Sequence, residues 1–315
     1  RNTFFKGQKI NSVYISHLDR DHINGMDYLI KYCDVKKIYI PYLDNSEKIL
    51  NIISNFHNNE IYRNSFLSYY YRNELSQDTT GYYEENKRFF SNYELIEVPS
   101  LNQYEDNIYV YLERLERDYI ESFHVNHNEW KIIPFNYKDL ARSLQFFSAI
   151  IKDSDLKDLT INNIVKKWDK YKDKIKRIYD KFVTGDRNTN SMVVYSGPER
   201  TTTNFRNSKV GAMFTGDYNF LGGDKFSKFI NFYHRYIPYV SQFLISHHGS
   251  QHSYNSMLPS YFESEFIISS GGRYKHPHKK VLLDLLIHRK KIILVTQNDS
   301  PYDTFMWKEY YVFIW

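Results

Sequence analysis

Apolar and β-branched residues crowd into residues 9–16 (KINSVYIS) and then give way to polar ones, which predicts a strand followed by a break. Residues 23–33 (INGMDYLIKYC) carry a short apolar face at helical spacing. Residues 36–40 (KKIYI) predict a second short strand, stopped by Pro41. Strand, loop, helix and strand in that order is the grammar of an α/β layer.

The pattern then loosens. In residues 45–130, rich in Asn and in runs such as SYYYRNE and TTGYYEENKRFF, the strand candidates are 94–98 (ELIEV) and 108–112 (IYVYL). Residues 138–182 read as mostly helical, with Ile161, Ile164, Val165, Trp168, Ile175, Ile178 and Phe182 recurring at helical spacing. The Lys and Asp residues between them read as the solvated face of an amphipathic helix packed on the body. A basic helix that grips phosphate is the alternative. After Gly185 the α/β pattern returns, with strands predicted at 191–196, 210–215, 242–246, 265–269, 291–296 and 310–314 and a helix at 278–288. No repeat of fixed period is visible. The expected organisation is an α/β core in two parts, 1–44 and 186–315, separated by a mixed, largely helical insertion over 45–185.

Composition narrows the classes. In 315 residues the apolar fraction is 42% and the charged fraction 25%, which suits a globular protein rather than a disordered, collagen-like or coiled-coil chain. Cys33 is the single cysteine, so neither an internal disulfide framework nor a cysteine-based zinc site is expected. One cysteine fits a reducing compartment, and a cytoplasmic location is expected. No stretch approaches the ~18–20 apolar residues that span a bilayer, so no membrane partner is expected. The net charge of +5 permits a polyanionic substrate without demanding one. Aromatic residues reach 18%, with 30 Tyr and 22 Phe. An AT-rich genome explains that bias better than a functional aromatic theme does.

The sharpest chemical feature is Ser16-His17-Leu18-Asp19-Arg20-Asp21-His22, where a predicted strand gives way to a predicted helix. His17, Asp19, Asp21 and His22 place four potential metal ligands within six residues. Imidazole nitrogen and carboxylate oxygen together suit a borderline or hard divalent ion. Thr215-Gly216-Asp217 follows a predicted strand, and a carboxylate there is placed to bridge two metals, although turns of this composition are common. Ser246-His247-His248-Gly249-Ser250 follows another strand. Adjacent histidines cannot both point the same way, so one can ligate while the other orients substrate or supports a ligand. Tyr274-Lys275-His276-Pro277-His278 precedes a predicted helix, with Pro277 at its start and His276 in the loop before it. Each segment sits at the C-terminal end of a strand or beside a helix start, where α/β layers gather their ligand sites.

Taken in order, these motifs resemble the metallo-β-lactamase superfamily, whose signature is H-x-H-x-D-H, a bridging Asp and a late His. Here the first motif reads H-x-D-x-D-H, the variant of the ComEC-like branch. The likeness continues through Asn188-Thr189-Asn190-Ser191-Met192-Val193-Val194, Phe214-Thr215-Gly216-Asp217, His247-His248-Gly249-Ser250 and His276-Pro277-His278. It covers about half of the chain, residues 9–42 and 186–300. The resemblance implies an αββα sandwich with one or two divalent ions at the sheet edge. His17 and Asp19 would help hold the first ion; Asp21 and His22 would hold the second with His247 or His248, and Asp217 would bridge. Asp21, His248 and His276 are the expected catalytic residues, and Ser250, Lys275 and His278 would meet substrate. His276 would bind a phosphoryl oxygen or protonate the leaving group. With Asp19 in place of a histidine, the site should lean from Zn²⁺ toward Mn²⁺ or Mg²⁺. His124 and His127 read as surface residues rather than as a further ligand.

The chain departs from the family in two ways. Members usually carry several strands before the first motif, whereas 16 residues precede His17, so a preceding segment outside this sequence is expected. The insertion is also long, and would cap the site or dock a protein partner. The function expected is a metal-dependent phosphodiesterase that cuts nucleic acid, DNA foremost, and that serves as the effector of a multi-protein antiviral assembly. Tyr69, Tyr70, Tyr71, Tyr82 and Tyr83 read first as packing residues within the insertion; the alternative is that they stack bases while Arg72 and Lys87 meet phosphates. The alternative is hydrolysis of a small or lipid-like ester, lactone or nucleotide signal.

Overall fold

The computed structural model describes residues 6–44, 47–48, 51–52, 65–71, 92–125, 128–138, 141–157, 163, 168–182, 191–199, 210–270, 276–296 and 311–314. The first elements are β1 (Lys9–Ile15), α1 (Arg20–Ile23), α2 (Met26–Tyr32), β2 (Asp34–Pro41), α3 (Ser65–Tyr70) and β3 (Glu94–Val98). They are followed by α4 (Ile108–Asp118), β4 (Glu121–Val125), β5 (Asn128–Phe135), α5 (Ala141–Lys152), α6 (Trp168–Phe182), β6 (Val193–Pro198) and β7 (Gly211–Phe214). Last come α7 (Lys225–Tyr233), β8 (Val240–Leu244), α8 (Leu258–Tyr261), β9 (Glu265–Ser269), α9 (Lys279–Ile287), β10 (Ile292–Val295) and β11 (Tyr311–Ile314). The chain divides into two compact α/β units, one from 1–97, 140–187 and 310–315, the other from 98–139 and 188–309. Among the described residues, no helix is long and apolar enough to cross a membrane.

The first unit holds a four-stranded sheet in the order β11-β1-β2-β3, in which β1 runs parallel to both β11 and β2. β1 is buried on both faces from Ser12 onward, as expected of a central strand in a parallel sheet. One face presents Val13 and Ile15 to a largely aliphatic core with Ile38, Ile40, Leu29 and Ile30. The other carries Tyr14, paired in register with Tyr39, and the two rings stack with centroids 4.5 Å apart. Each fully buried aliphatic side chain contributes about 1.5–3 kcal/mol. Phe66 and Leu67 of α3 close this core, and the Phe66 N–H donates to Asp27 Oδ1 at 3.2 Å.

Tyr70 and Tyr71 belong to that core as well, which is the packing reading of these tyrosines rather than the base-stacking one. Their hydroxyls donate inward, to Glu97 Oε1 at 2.7 Å and to Asn51 Oδ1 at 2.6 Å. Half-buried Tyr69 packs edge-on against Tyr93. Arg72, Tyr82, Tyr83 and Lys87 lie outside the described residues. The helical expectation for 138–182 corresponds to α5 and α6, which share a small core of their own, Phe146, Ile150, Leu156, Tyr171, Ile175 and Tyr179. Lys174 joins Asp153 at 2.7 Å and Asp155 at 2.6 Å. The hydrogen bond from Lys174 holds the Asp153 carboxyl below the usual carboxylate range.

The second unit holds a seven-stranded sheet in the order β10-β9-β8-β7-β6-β5-β4. Pairs from β4 to β7 are antiparallel and pairs from β7 to β10 parallel. Its core is aromatic: Tyr111, Phe135, Tyr218, Phe220, Phe229, Phe232 and Tyr233 interlock through ring contacts. A buried tyrosine needs a partner for its hydroxyl. Tyr233 donates to Ile133 O at 2.8 Å, Tyr195 to Pro198 O at 2.9 Å, and Tyr111 to Pro99 O at 3.0 Å while accepting from the Asn136 N–H.

Two elements differ from the sequence pattern. The run 108–112, expected as a strand, opens helix α4. Asn107 caps it by accepting from the N–H groups of Tyr109 and Val110, and Tyr111, Leu112 and Leu115 form its buried face. The hairpin β4–β5 lay unread inside the stretch 45–185, so that stretch supplies β3 to one sheet and β4 and β5 to the other.

Candidate functional site

In the first unit the site begins where β1 ends. Leu18 and Ile23 are core residues, so both ends of the polar run are drawn inward. His17 is 8% and His22 1% exposed, which removes both imidazoles from bulk water. The His22 N–H donates to Asp19 O at 3.0 Å and closes the turn into α1. The two rings lie with centroids 3.9 Å apart. Ser16 Oγ sits 3.1 Å from His17 Nδ1 and 3.2 Å from His22 Nδ1. A hydroxyl has two lone pairs and one hydrogen, so it can accept from both Nδ1–H groups at once. In that arrangement both Nε2 atoms carry lone pairs, the state that metal ligation requires. Two such imidazoles without a thiolate suit Zn²⁺ or Mn²⁺, so the residues present fit a divalent cation. Asp19 is half-buried. The side chains of Arg20 and Asp21 lie outside the described residues.

In the second unit three loops follow strand ends. After β7, Thr215 Oγ1 donates to Leu244 O at 2.7 Å, Gly216 adopts φ +50°, and the N–H of buried Asp217 donates to Ser191 Oγ at 3.1 Å. The second loop is tied to the first, because the His247 N–H donates to Gly216 O at 3.0 Å. It follows β8, and its backbone is left-handed at three successive residues: His247 (φ +48°), His248 (φ +55°) and Gly249 (φ +81°). Two adjacent histidines in that region are costly, roughly 1–2 kcal/mol each, and such outliers cluster at functional sites. Glycine follows for a separate reason: a Cβ on Gly249 would lie 2.7 Å from Pro277 Cβ and 3.2 Å from Ile268 Cγ2.

His248 Nδ1 lies 2.8 Å from Ser269 O. A carbonyl only accepts, so Nδ1 carries the hydrogen and Nε2 the lone pair. His247 has a longer contact, Nδ1 to Ser253 Oγ at 3.4 Å. In the third loop the His276 ring lies 5.8 Å from His247 and 4.7 Å from His278. Burial first, then the imidazoles of His278, His247 and His248, push the His276 pKa down, with Asp217 opposing. The unit thus brings together Asp217, His247, His248, His276 and His278.

Several expected residues fall elsewhere. Ser250 is buried, and its Oγ accepts from the His252 N–H at 3.3 Å, so the hydroxyl serves the loop. Helix α9 starts at Lys279 with His278 as its N-cap, so Pro277 precedes the cap rather than opening the helix. Lys275 and His127 lie outside the described residues, and His124 is exposed on β4. Two contributors went unread. Ser16 looked like a strand end, yet it bridges two imidazoles. His252 lies with its ring 5.7 Å from His278, and its only sequence signal was closeness to the His247-His248 pair. No protein-family model matches the chain, and no curated protein matches it.

Proposed function

We propose that the chain is a metal-dependent hydrolase of the metallo-β-lactamase type, an αββα enzyme that cuts phosphodiester bonds in nucleic acid, DNA foremost. The observation that carries this reading is the buried His17–His22 pair, with both Nδ1 atoms turned to one serine hydroxyl. Burying two imidazoles side by side has little use in packing, and it is how a pair of ligands is prepared. The motif resemblance assigns Asp19, Asp21 and Asp217, with His247 or His248, to the same ions. Mn²⁺, Zn²⁺ and Mg²⁺ are the ions to test.

When bound, a divalent cation supplies positive charge that polarises a phosphoryl oxygen and eases the ionisation of water. The protein's own groups do the remainder. Ser16 holds His17 and His22 in one tautomer. His248 keeps Nε2 open because Nδ1 is engaged by Ser269 O. His276, its pKa lowered chiefly by burial, stays a neutral imidazole at neutral pH. The net charge of +5 favours a polyanion over a neutral ester. We further propose that the protein works in the cytoplasm as the effector of a multi-protein antiviral assembly, docking through 45–185.

The test is incubation with circular single-stranded DNA, linear duplex DNA and RNA in Mn²⁺ or Zn²⁺, beside Asp217→Asn, with bound metal measured by mass spectrometry. Cleavage by the parent and none by the variant is expected. Intact nucleic acid in every mixture, with metal bound, removes the nuclease reading and leaves hydrolysis of a small ester, lactone or nucleotide. A protein that binds no divalent metal removes both.

A further inference from the structure

Positive charge is concentrated on one helix. The 15 residues of α6 carry six basic side chains against three acidic ones, a net +3 of the chain's +5. The placement is as uneven as the amount. Residues three and four apart share a face of a helix, and Lys170, Lys174, Arg177 and Lys181 follow one another at those spacings. At 1.5 Å per residue the row they form is about 16 Å long. Core packing does not call for it, because Tyr171, Ile175 and Tyr179 supply the buried face of α6. Helix stability does not call for it either. Lys170 and Lys174, Lys172 and Lys176, and Arg177 and Lys181 are like-charged pairs at i,i+4, and each such pair destabilises a helix. Lys174 is neutralised by Asp153 and Asp155, which tie α6 to the turn after α5. Lys170, Arg177 and Lys181 are exposed, and among the described residues none of the three forms an ion pair. The ammonium groups of Lys170 and Lys181 lie over the rings of Tyr171 and Phe182, and Arg177 Nε donates to Asp173 O at 3.3 Å.

We propose that this row is a binding surface for a nucleic-acid backbone, on which Lys170, Arg177 and Lys181 neutralise phosphates of one strand. The inference rests on the nuclease reading, and it gives α6 to the substrate rather than to a protein partner. A strand of duplex carries one charge per ~3.4 Å of axis, so a row of this length faces several phosphates. Counterions released from those phosphates drive the association. Such contacts position a strand without reading its sequence, as suits an enzyme that attacks the backbone. With Arg177 Nε held by Asp173 O, the two terminal nitrogens of the guanidinium remain to grip one phosphate by paired hydrogen bonds. A membrane surface fits less well. A helix that lies in lipid buries an apolar face there, and α6 spends its apolar face on its own core. A second copy of the same row would meet it with like charge.

The test is fluorescence anisotropy of a labelled deoxythymidine oligonucleotide titrated with the full chain over a range of salt concentrations, with EDTA present so that no cleavage competes. The row variant Lys170→Gln/Arg177→Gln/Lys181→Gln should bind about 10–100-fold more weakly at low salt. Its slope of log affinity against log salt should be shallower by about 2, since each phosphate contact on a single strand contributes ~0.7. A comparison variant, Lys6→Gln/Lys9→Gln/Lys31→Gln, removes the same charge at the start of β1 and around Tyr32. It should keep the parent's affinity and slope. Equal losses in the two variants would mean that net charge alone acts, and would overturn the proposal. So would a parent that does not bind, or a folded row variant that binds unchanged. Weakened binding to phosphatidylserine vesicles with oligonucleotide binding intact would give the row to a membrane instead. The three side chains are exposed, so the row variant should keep the parent's circular dichroism. Should it fold poorly, Lys170→Gln alone still decides, with a slope shallower by about 0.7. The readout needs no turnover. Binding through the row in a protein that cleaves no nucleic acid would refute the proposed function and leave the surface standing. Cleavage by a protein whose row variant binds unchanged would do the reverse.

Discussion

The first unit places its histidines by local means, and the second by tertiary ones. His17 and His22 are five residues apart in one turn, held by the Oγ of the residue before them. His247 and His248 come from one loop and His276 and His278 from another, and backbone groups of Gly216, Ser269 and Gln251 hold His247, His248 and His278. The cores differ in the same sense. The first is mostly aliphatic, with Tyr70 and Tyr71 bonded to side chains at its margin, whereas the second is built on tyrosines such as Tyr111, Tyr195 and Tyr233, whose hydroxyls engage backbone carbonyls. A site written in one turn can survive in a loosely specified body. A site assembled from loops requires the body to be specified first.

Alkali should break the comparison most strongly. Burial raises the phenols of Tyr111, Tyr218 and Tyr233, all in the second unit, far above their ordinary value. The stability they contribute is complete below the unfolded value of about 10 and is lost as pH rises above it, because the unfolded chain ionises first. Each phenol costs up to about 1.4 kcal/mol per pH unit, so the three together steepen the loss to roughly 4 kcal/mol per unit. Tyrosinate absorbance and circular dichroism followed together above pH 10 should show their ionisation coinciding with unfolding rather than preceding it.

Gly249→Ala comes next. The added methyl meets Pro277 and the backbone is left-handed there, so thermal unfolding should show a loss of about 1–3 kcal/mol. Ser16→Ala probes the local site. Titration calorimetry with Mn²⁺ or Zn²⁺ should show affinity falling about 10–100-fold, as when the partner of a ligating imidazole is removed. Unchanged affinity would mean that the serine does not serve metal binding. The smallest effect is expected from His248→Gly, which relieves one left-handed residue. The melting temperature should rise slightly, by a gain below about 1 kcal/mol, while any cleavage activity falls.

The same contrast governs what could be read from the sequence. β1 and β9 were legible because β-branched residues crowd into short runs with polar ends. The turn at His17–His22 was legible because its ligands are neighbours in sequence. The run IYVYL misled because aromatic and β-branched residues there serve a helix, and the deciding signal was the single cap Asn107. The hairpin β4–β5 was missed because half of its definition is tertiary: Trp130 Nε1 donates to Ser196 Oγ, and β5 pairs with β6 at a sequence separation of about sixty residues. The tyrosine surplus gave composition without placement: packing was the favoured reading, and Tyr70 and Tyr71 are buried.

The missing side chain at Gly249 also has a mechanical consequence. Pro277 occupies the space a methyl would need, and the Gly249 carbonyl receives the His278 N–H. Two loops that leave different strands are thereby keyed into one rigid frame. The tight Gly249–Pro277 approach and this hydrogen bond tie the loop that carries His248 to the loop that carries His276. Positional precision at these imidazoles comes from the one residue in the loop that has no side chain.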